Sequence, residues 1–217
     1  MSVLTMVLCL ALAAGGTYAL FTDKVTLDNH LVAGTLDITL LRTNLKTLSL
    51  DTTTGFLKET EKTKDIDFSQ PWDPAHPELE NENVFDIVDG TLIVPGCWYS
   101  ADMEIINNTD VAFGYWLEIV YKDTADLTLA EQLKITVTTG DASKSIDGKK
   151  LTLSRGLIGK EKDPVAVLAK GETAPFTITV EFMNLDHSVN NTAKLKSFEF
   201  DVVVHAVQVT KAPATNG

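Results

Sequence analysis

Phe176-Thr177-Ile178-Thr179-Val180-Glu181-Phe182 decides the fold. Four large apolar side chains hold one phase of a period-two pattern, and threonine and glutamate hold the other. Successive side chains of a strand point to opposite faces. The pattern is therefore that of a strand with one face in a core and one in water, the habit of antiparallel sheets. The same alternation recurs along the chain. Ala101, Met103 and Ile105 alternate with Asp102 and Glu104; Tyr115, Leu117, Ile119 and Tyr121 form another set, and Leu133, Ile135 and Val137 another. Leu36, Ile38 and Leu40 open the series, and Phe198, Phe200, Val202 and Val204 close it against Glu199 and Asp201. After His205-Ala206 the apolar phase moves to Val207 and Val209, which predicts a bulge or a crossing between sheet edges.

Turn residues separate these runs: Pro95-Gly96, Asn107-Asn108-Thr109-Asp110, Gly140-Asp141, Asp147-Gly148 and Lys170-Gly171. Many short strands joined by such turns predict an all-β protein, an antiparallel β-sandwich of jelly-roll type over residues 35–210. One helical turn is expected at Thr128–Leu133, where the alternation breaks. Residues 51–90 read differently. They are polar, carry Pro71, Pro74 and Pro77, and end in the acidic run Glu78–Asp89, so a long acidic insertion loop on the sandwich is expected there. Residues 211–217 read as a flexible tail.

The other end of the chain is apolar. Residues 3–14 carry no charge and are too few to span a bilayer, which takes about 20 residues, but they suit the core of a signal peptide. Thr17-Tyr18-Ala19 is a small-x-small site, so residues 1–19 are expected to leave by cleavage between Ala19 and Leu20. The usual basic segment does not precede the apolar run, which leaves the true start of the chain open. Residues 20–34 are then a strand and a linker. Phe21, Val25 and Leu27 share one strand face, Asp23 completes the spacing, and Asp28-Asn29-His30 cuts the segment off from the domain. A free apolar strand at a terminus can complete its own sheet or a neighbour's by strand addition. In the second case the head-to-tail contact does not close, and it builds a filament.

At 217 residues the chain can bury a sizeable single core. No charged residue precedes Asp23, so cleavage leaves the formal charge of −12 unchanged. A pI near 4.7 disfavours nucleic acid and anionic membrane as partners, since both would repel it. Cys9 would leave with the signal and Cys97 would remain alone, expected as a buried structural residue with no intramolecular disulfide.

Motifs that carry chemistry are missing: there is no His-Glu-x-x-His, Gly-x-Ser-x-Gly, phosphate loop or glycine-rich dinucleotide turn. The histidines (His30, His76, His187, His205) are scattered singly, and no catalytic residue is assigned. A zinc site can be assembled from distant residues, so scatter does not exclude one. Acidic side chains at Asp65, Asp67, Asp73, Glu78, Glu80, Glu82, Asp86 and Asp89 could offer oxygens to calcium. Asp73, Glu78, Glu80 and Asp86 are the weak candidates, in a spacing that matches no EF-hand loop. Two Asn-x-Thr sequons begin at Asn107 and Asn190 and read as turns.

Gly15-Gly16-Thr17-Tyr18-Ala19-Leu20-Phe21-Thr22-Asp23, followed by Ala33-Gly34-Thr35-Leu36-Asp37, resembles the camelysin/TasA family of secreted bacterial biofilm-matrix proteins. Two later blocks are similar to the family as well. These are Val94-Pro95-Gly96 through Asn107-Asn108, with Cys97 where a charged residue is more usual, and Ser197-Phe198-Glu199-Phe200 through Gln208. The resemblance implies processing by a dedicated signal peptidase of the SipW type. It also implies a secreted structural subunit that polymerises by donor-strand exchange into extracellular biofilm-matrix or cell-surface fibres. Leu20, Phe21, Asp23, Val25 and Leu27 would be the donor strand. The implied partners are further copies of the chain and an accessory matrix or nucleating protein. No cofactor is expected beyond calcium. Two other readings stay open, a camelysin-like secreted metalloendopeptidase and a monomeric calcium-dependent surface adhesin.

Overall fold

In the computed structural model, residues 19–20, 36–69, 84–87, 92–121, 127–150, 156–193 and 200–209 are described. Their strands are β1 (Ala19–Leu20), β2 (Ile38–Leu50), β3 (Leu57–Lys62), β4 (Ile66–Asp67), β5 (Leu92–Ile93), β6 (Trp98–Asn107) and β7 (Phe113–Tyr121). The series continues with β8 (Leu133–Thr139), β9 (Ile146–Lys150), β10 (Gly156–Ile158), β11 (Ala166–Leu168), β12 (Thr173–Phe182) and β13 (Phe200–Gln208). The larger sheet runs β3-β2-β6-β12-β8-β9, with β4 beside β3 on the edge of β2, and its pairings are antiparallel. In the smaller sheet β13 takes the whole length of one edge of β7, and β10 and β11 share the other. The protein is an antiparallel β-sandwich, as the alternation predicts.

The strand that decides the fold lies between β6 and β8. Phe176, Ile178, Val180 and Phe182 are buried. Against them from the smaller sheet come Phe113, Tyr115, Leu117, Ile119, Val202 and Val204, all at most 2 % exposed. Burying each such side chain fully is worth about 1.5–3 kcal/mol, so the two inward phases dominate the stability of the sandwich. The outward phase of the larger sheet is linked by pairs directly opposite in register. Thr177 donates to Asp102 at 2.8 Å, Thr179 and Ser100 share a hydroxyl contact at 2.8 Å, and Lys134 meets Glu181 at 3.0 Å.

β2 holds the bulge that matters. Its register with β6 shifts between Arg42 and Asn44. Ile38, Leu40 and Arg42 point inward before the shift, and Leu45 and Thr47 after it. An extra residue inverts the phase of a strand, which lets both halves of β2 face the same core.

Five expectations change. Residues 51–67, expected as the first part of a long insertion loop, form a hairpin. Asp51 accepts from the Thr53 and Thr54 amides, Gly55 takes φ 75°, and β3 returns along β2. β3 is exposed apart from the half-buried Thr60, so backbone pairing orders it and no apolar phase announces it. Val84, Phe85 and Ile87, in the acidic end of the same stretch, belong to the core. The bulge expected after His205-Ala206 is absent, because β13 keeps unbroken register with β7 from Phe200↔Tyr121 to Gln208↔Phe113. Val207 stands opposite Gly114 on the outer face, where Pro164 and Val209 also pack, so the outward apolar residues find cover without a phase change. Asp147-Gly148, expected as a turn, lies inside β9. The first core strand begins at Ile38 and runs to Leu50, well past the expected Leu40. The expected helical turn is present as Leu127–Ala130, and β8 starts directly after it at Leu133. The expected signal core, the linker before Thr35, the prolines of the insertion and the tail lie outside the described residues.

Candidate functional site

β1 pairs antiparallel with β5, Ala19 opposite Ile93 and Leu20 opposite Leu92. The two residues that flank the expected cleavage bond are thus the two that form this ladder. Phe21, Asp23, Val25 and Leu27, the rest of the expected donor strand, lie outside the described residues.

The sequence that follows fixes β5 in place. Val94-Pro95-Gly96-Cys97 makes a turn closed by the Cys97 amide on the Val94 carbonyl at 3.0 Å. Gly96 takes φ 91°, a conformation that costs glycine little and other residues much. The Gly96 amide donates to the Phe182 carbonyl at 2.7 Å, and the Phe182 amide returns to the Cys97 carbonyl at 2.8 Å. The turn is therefore fastened to the end of β12, and it delivers Ile93, 1 % exposed, to one end of the core.

Around that end stand Phe85, Ile87, Cys97, Tyr99, Leu133, Val180 and Phe182, enclosing with Ile93 a void of about 10 Å³. Such a volume is about the least that holds one water, and these walls are apolar. Phe85 meets Tyr99 edge-on at 6.5 Å and Phe200 at 6.5 Å, so the segment 84–87 bridges the two sheets. Burial raises the Cys97 thiol above its ordinary pKa, and it raises the Tyr99 phenol further, with nearby Cys97 adding to the effect. A fully buried, protonated thiol is a poor nucleophile, which fits the expected structural role of Cys97. The Tyr99 hydroxyl is buried with no hydrogen-bond partner among the described residues.

Arg42, which sequence reasoning missed, holds this segment. It is 3 % exposed, donates from Nη1 to the Val84 carbonyl at 2.8 Å, and lies 5.8 Å from the Phe68 ring centroid. A charged residue at an inward strand position was the available signal. Outside the void, an open cleft of about 360 Å³ lies between β2, β3 and Phe85–Ile87, with Lys62 paired to Asp86 at its edge. Of the four weak calcium candidates Asp86 falls among the described residues, with its Oδ2 paired to Lys62. Asp73, Glu78 and Glu80 lie outside them. Asp65 and Asp67 are also described, and Asp67 accepts from the Ser69 amide at 2.9 Å. Among the described residues no three His, Cys, Asp or Glu side chains come together as a metal site.

The histidines remain apart. His187 is exposed beside Asn191, and His205 lies on the outer face of the smaller sheet against Trp116 and Glu118. His30 and His76 lie outside the described residues. Both sequon asparagines, expected in turns, are buried at the ends of elements: Asn107 completely as the last residue of β6, and Asn190 at 3 % exposure as the last residue of the helical turn His187–Asn190.

Residues 1–49 match the family model described as Camelysin metallo-endopeptidase. The N-terminus is camelysin-like. The camelysin-like stretch takes in β1 and nearly all of β2, including Arg42 and the bulge that follows it. No curated protein matches the chain. A solved structure described as "AvmM Catalyzes Macrocyclization in Alchivemycin A Biosynthesis" is 14% identical, over 57% of this chain and 85% of that one, with a TM-score of 0.25. A likeness at that score carries no argument about this chain.

Proposed function

We propose that the chain is a secreted structural subunit that polymerises through its N-terminal strand into extracellular fibres of a biofilm matrix or cell surface. The observation that supports this reading most is the β1–β5 ladder. The N-terminal segment adds to the sandwich as a strand, at a place where the two main sheets do not need it. The camelysin-like match covers the same segment and fits a secreted protein. Strand addition draws affinity from main-chain hydrogen bonds, which any copy of the chain can supply to the next. A charge of −12 keeps subunits apart until a strand engages.

The test is electron microscopy of residues 20–217 beside an otherwise identical protein starting at residue 30. Fibres are expected from the first and folded monomers from the second. Monomers from both, or fibres from both, would overturn the proposal.

A further inference from the structure

We propose that β5 is the acceptor for this assembly: the edge of Leu92–Ile93 receives the N-terminal strand of a second copy, and in the uncleaved chain its own Ala19–Leu20 caps that edge. The inference rests on the fibre reading above and names the surface which that reading leaves open.

Three observations carry it. β5 belongs to neither main sheet, and the strand paired with it among the described residues is β1. Its edge is thus offered to a single incoming strand, and the occupant seen there is the N-terminal segment itself. β5 is also rigidly mounted, because Ile93 is buried and the following turn is bonded to both sides of Phe182. A fixed edge accepts a strand with less ordering cost than a loose one. Finally, the expected scissile bond lies inside the ladder. Cleavage between Ala19 and Leu20 removes the partner of Ile93, half of the cap seen among the described residues. A neighbour's strand then competes for the edge with a cap that has lost its residue opposite Ile93. Processing therefore uncaps the acceptor in the same step that creates the free donor end.

The register supplies the test, since residues directly opposite on paired strands come within disulfide reach. Two proteins of residues 20–217 carry Cys97→Ala, one with Leu20→Cys and the other with Leu92→Cys. They are mixed, assembled and oxidised with oxidised glutathione. A disulfide between chains, located by mass spectrometry to positions 20 and 92, is expected in the fibres. The pair Phe21→Cys with Thr91→Cys, one residue further along the antiparallel pairing proposed between copies, repeats the test where the first substitutions disturb folding. In the uncleaved chain with Cys9→Ala and Cys97→Ala, Leu20→Cys with Leu92→Cys should close within one chain, and no fibres should form. Fibres lacking both interchain disulfides would overturn the acceptor and leave the fibre reading intact. An intrachain disulfide in residues 20–217, at dilution and without fibres, would show β5 holding its own strand and overturn both. Fibres from the uncleaved chain with its internal disulfide closed would overturn the cap.

Discussion

His205 Nε2 lies 2.8 Å from Glu118 Oε2 while its imidazole stacks on Trp116, centroids 5.1 Å apart and planes 7° from parallel. The three side chains lock β13 to β7 on the outer face, where an ordinary sheet would show only solvated polar residues. Replacing His205 by Ala is expected to cost about 1–2 kcal/mol, from the lost ring contact and a partly exposed hydrogen bond. His205→Phe should recover the stacking part. Urea denaturation of the two variants checks both, and equal stabilities would mean that the stack contributes nothing.

Arg42→Met removes the donor to the Val84 carbonyl and the cation near Phe68. A charged hydrogen bond in a buried place, together with the carbonyl left unpaired, makes a loss of about 2–3 kcal/mol the expected result. The segment holding Phe85 should also loosen. Limited proteolysis should cut faster between residues 70 and 90 in the variant, and an unchanged cutting rate would show that the core holds that segment without the arginine.

Asn107 is fully buried, donates from Nδ2 to the Val111 and Leu168 carbonyls at 2.9 Å, and accepts from the Thr109 amide and hydroxyl. Asn107→Asp would aim a carboxylate oxygen at two carbonyls and should be worse than Asn107→Ala. The alanine variant should itself lose about 2–3 kcal/mol, since the buried Leu168 carbonyl loses this donor while the Val111 carbonyl keeps the Thr109 hydroxyl. Thermal melts of both decide the order.

Burial raises the Cys97 and Tyr99 acid groups and pushes Tyr115 up to about 12. An acid whose folded pKa is raised gives stability that is present in full below its unfolded pKa and is lost as pH rises toward the folded one. For Cys97 the loss begins near 9.0, and for the tyrosines near 10.0. Chemical denaturation from pH 8 to 11 should show stability falling across that window. Cys97→Ala should remove the part that begins first, and an unchanged profile in that variant would contradict the assignment.

Much of the sandwich was legible because its inner strands are buried on one face. β6, β7, β8 and β12 each carry three or more inward apolar residues at period two, and water on the other face enforces the contrast. β3 was not legible, since Leu57–Lys62 gains order from the β2 ladder, and an exposed edge strand needs no apolar phase. Nor was the bulge in β2. Leu40 and Leu41 are adjacent leucines, so the run looks apolar on both phases, and the inversion shows only when Leu45 is found inside beyond Arg42. His205-Ala206 misled in the opposite direction: a change of apolar phase reflected cover on the outer face near Gly114 and no backbone irregularity. At the site, the residues around the expected cleavage bond stood out in the sequence as a small-x-small pattern after an apolar run. Their partner strand was not, because Leu92–Ile93 is too short to show a period.

Among the described residues every pairing in the smaller sheet passes through β7, with β10, β11 and β13 all bonded to it. The partner that covers its full length starts at Phe200, near the C-terminal end. A chain made from the N-terminus onward therefore completes the larger sheet with β12 while one edge of β7 still waits. The second layer closes only when the last strand arrives. Truncation just before Phe200 would leave that edge open from Phe113 to Tyr121, so an incompletely made subunit carries a lasting mark of being unfinished.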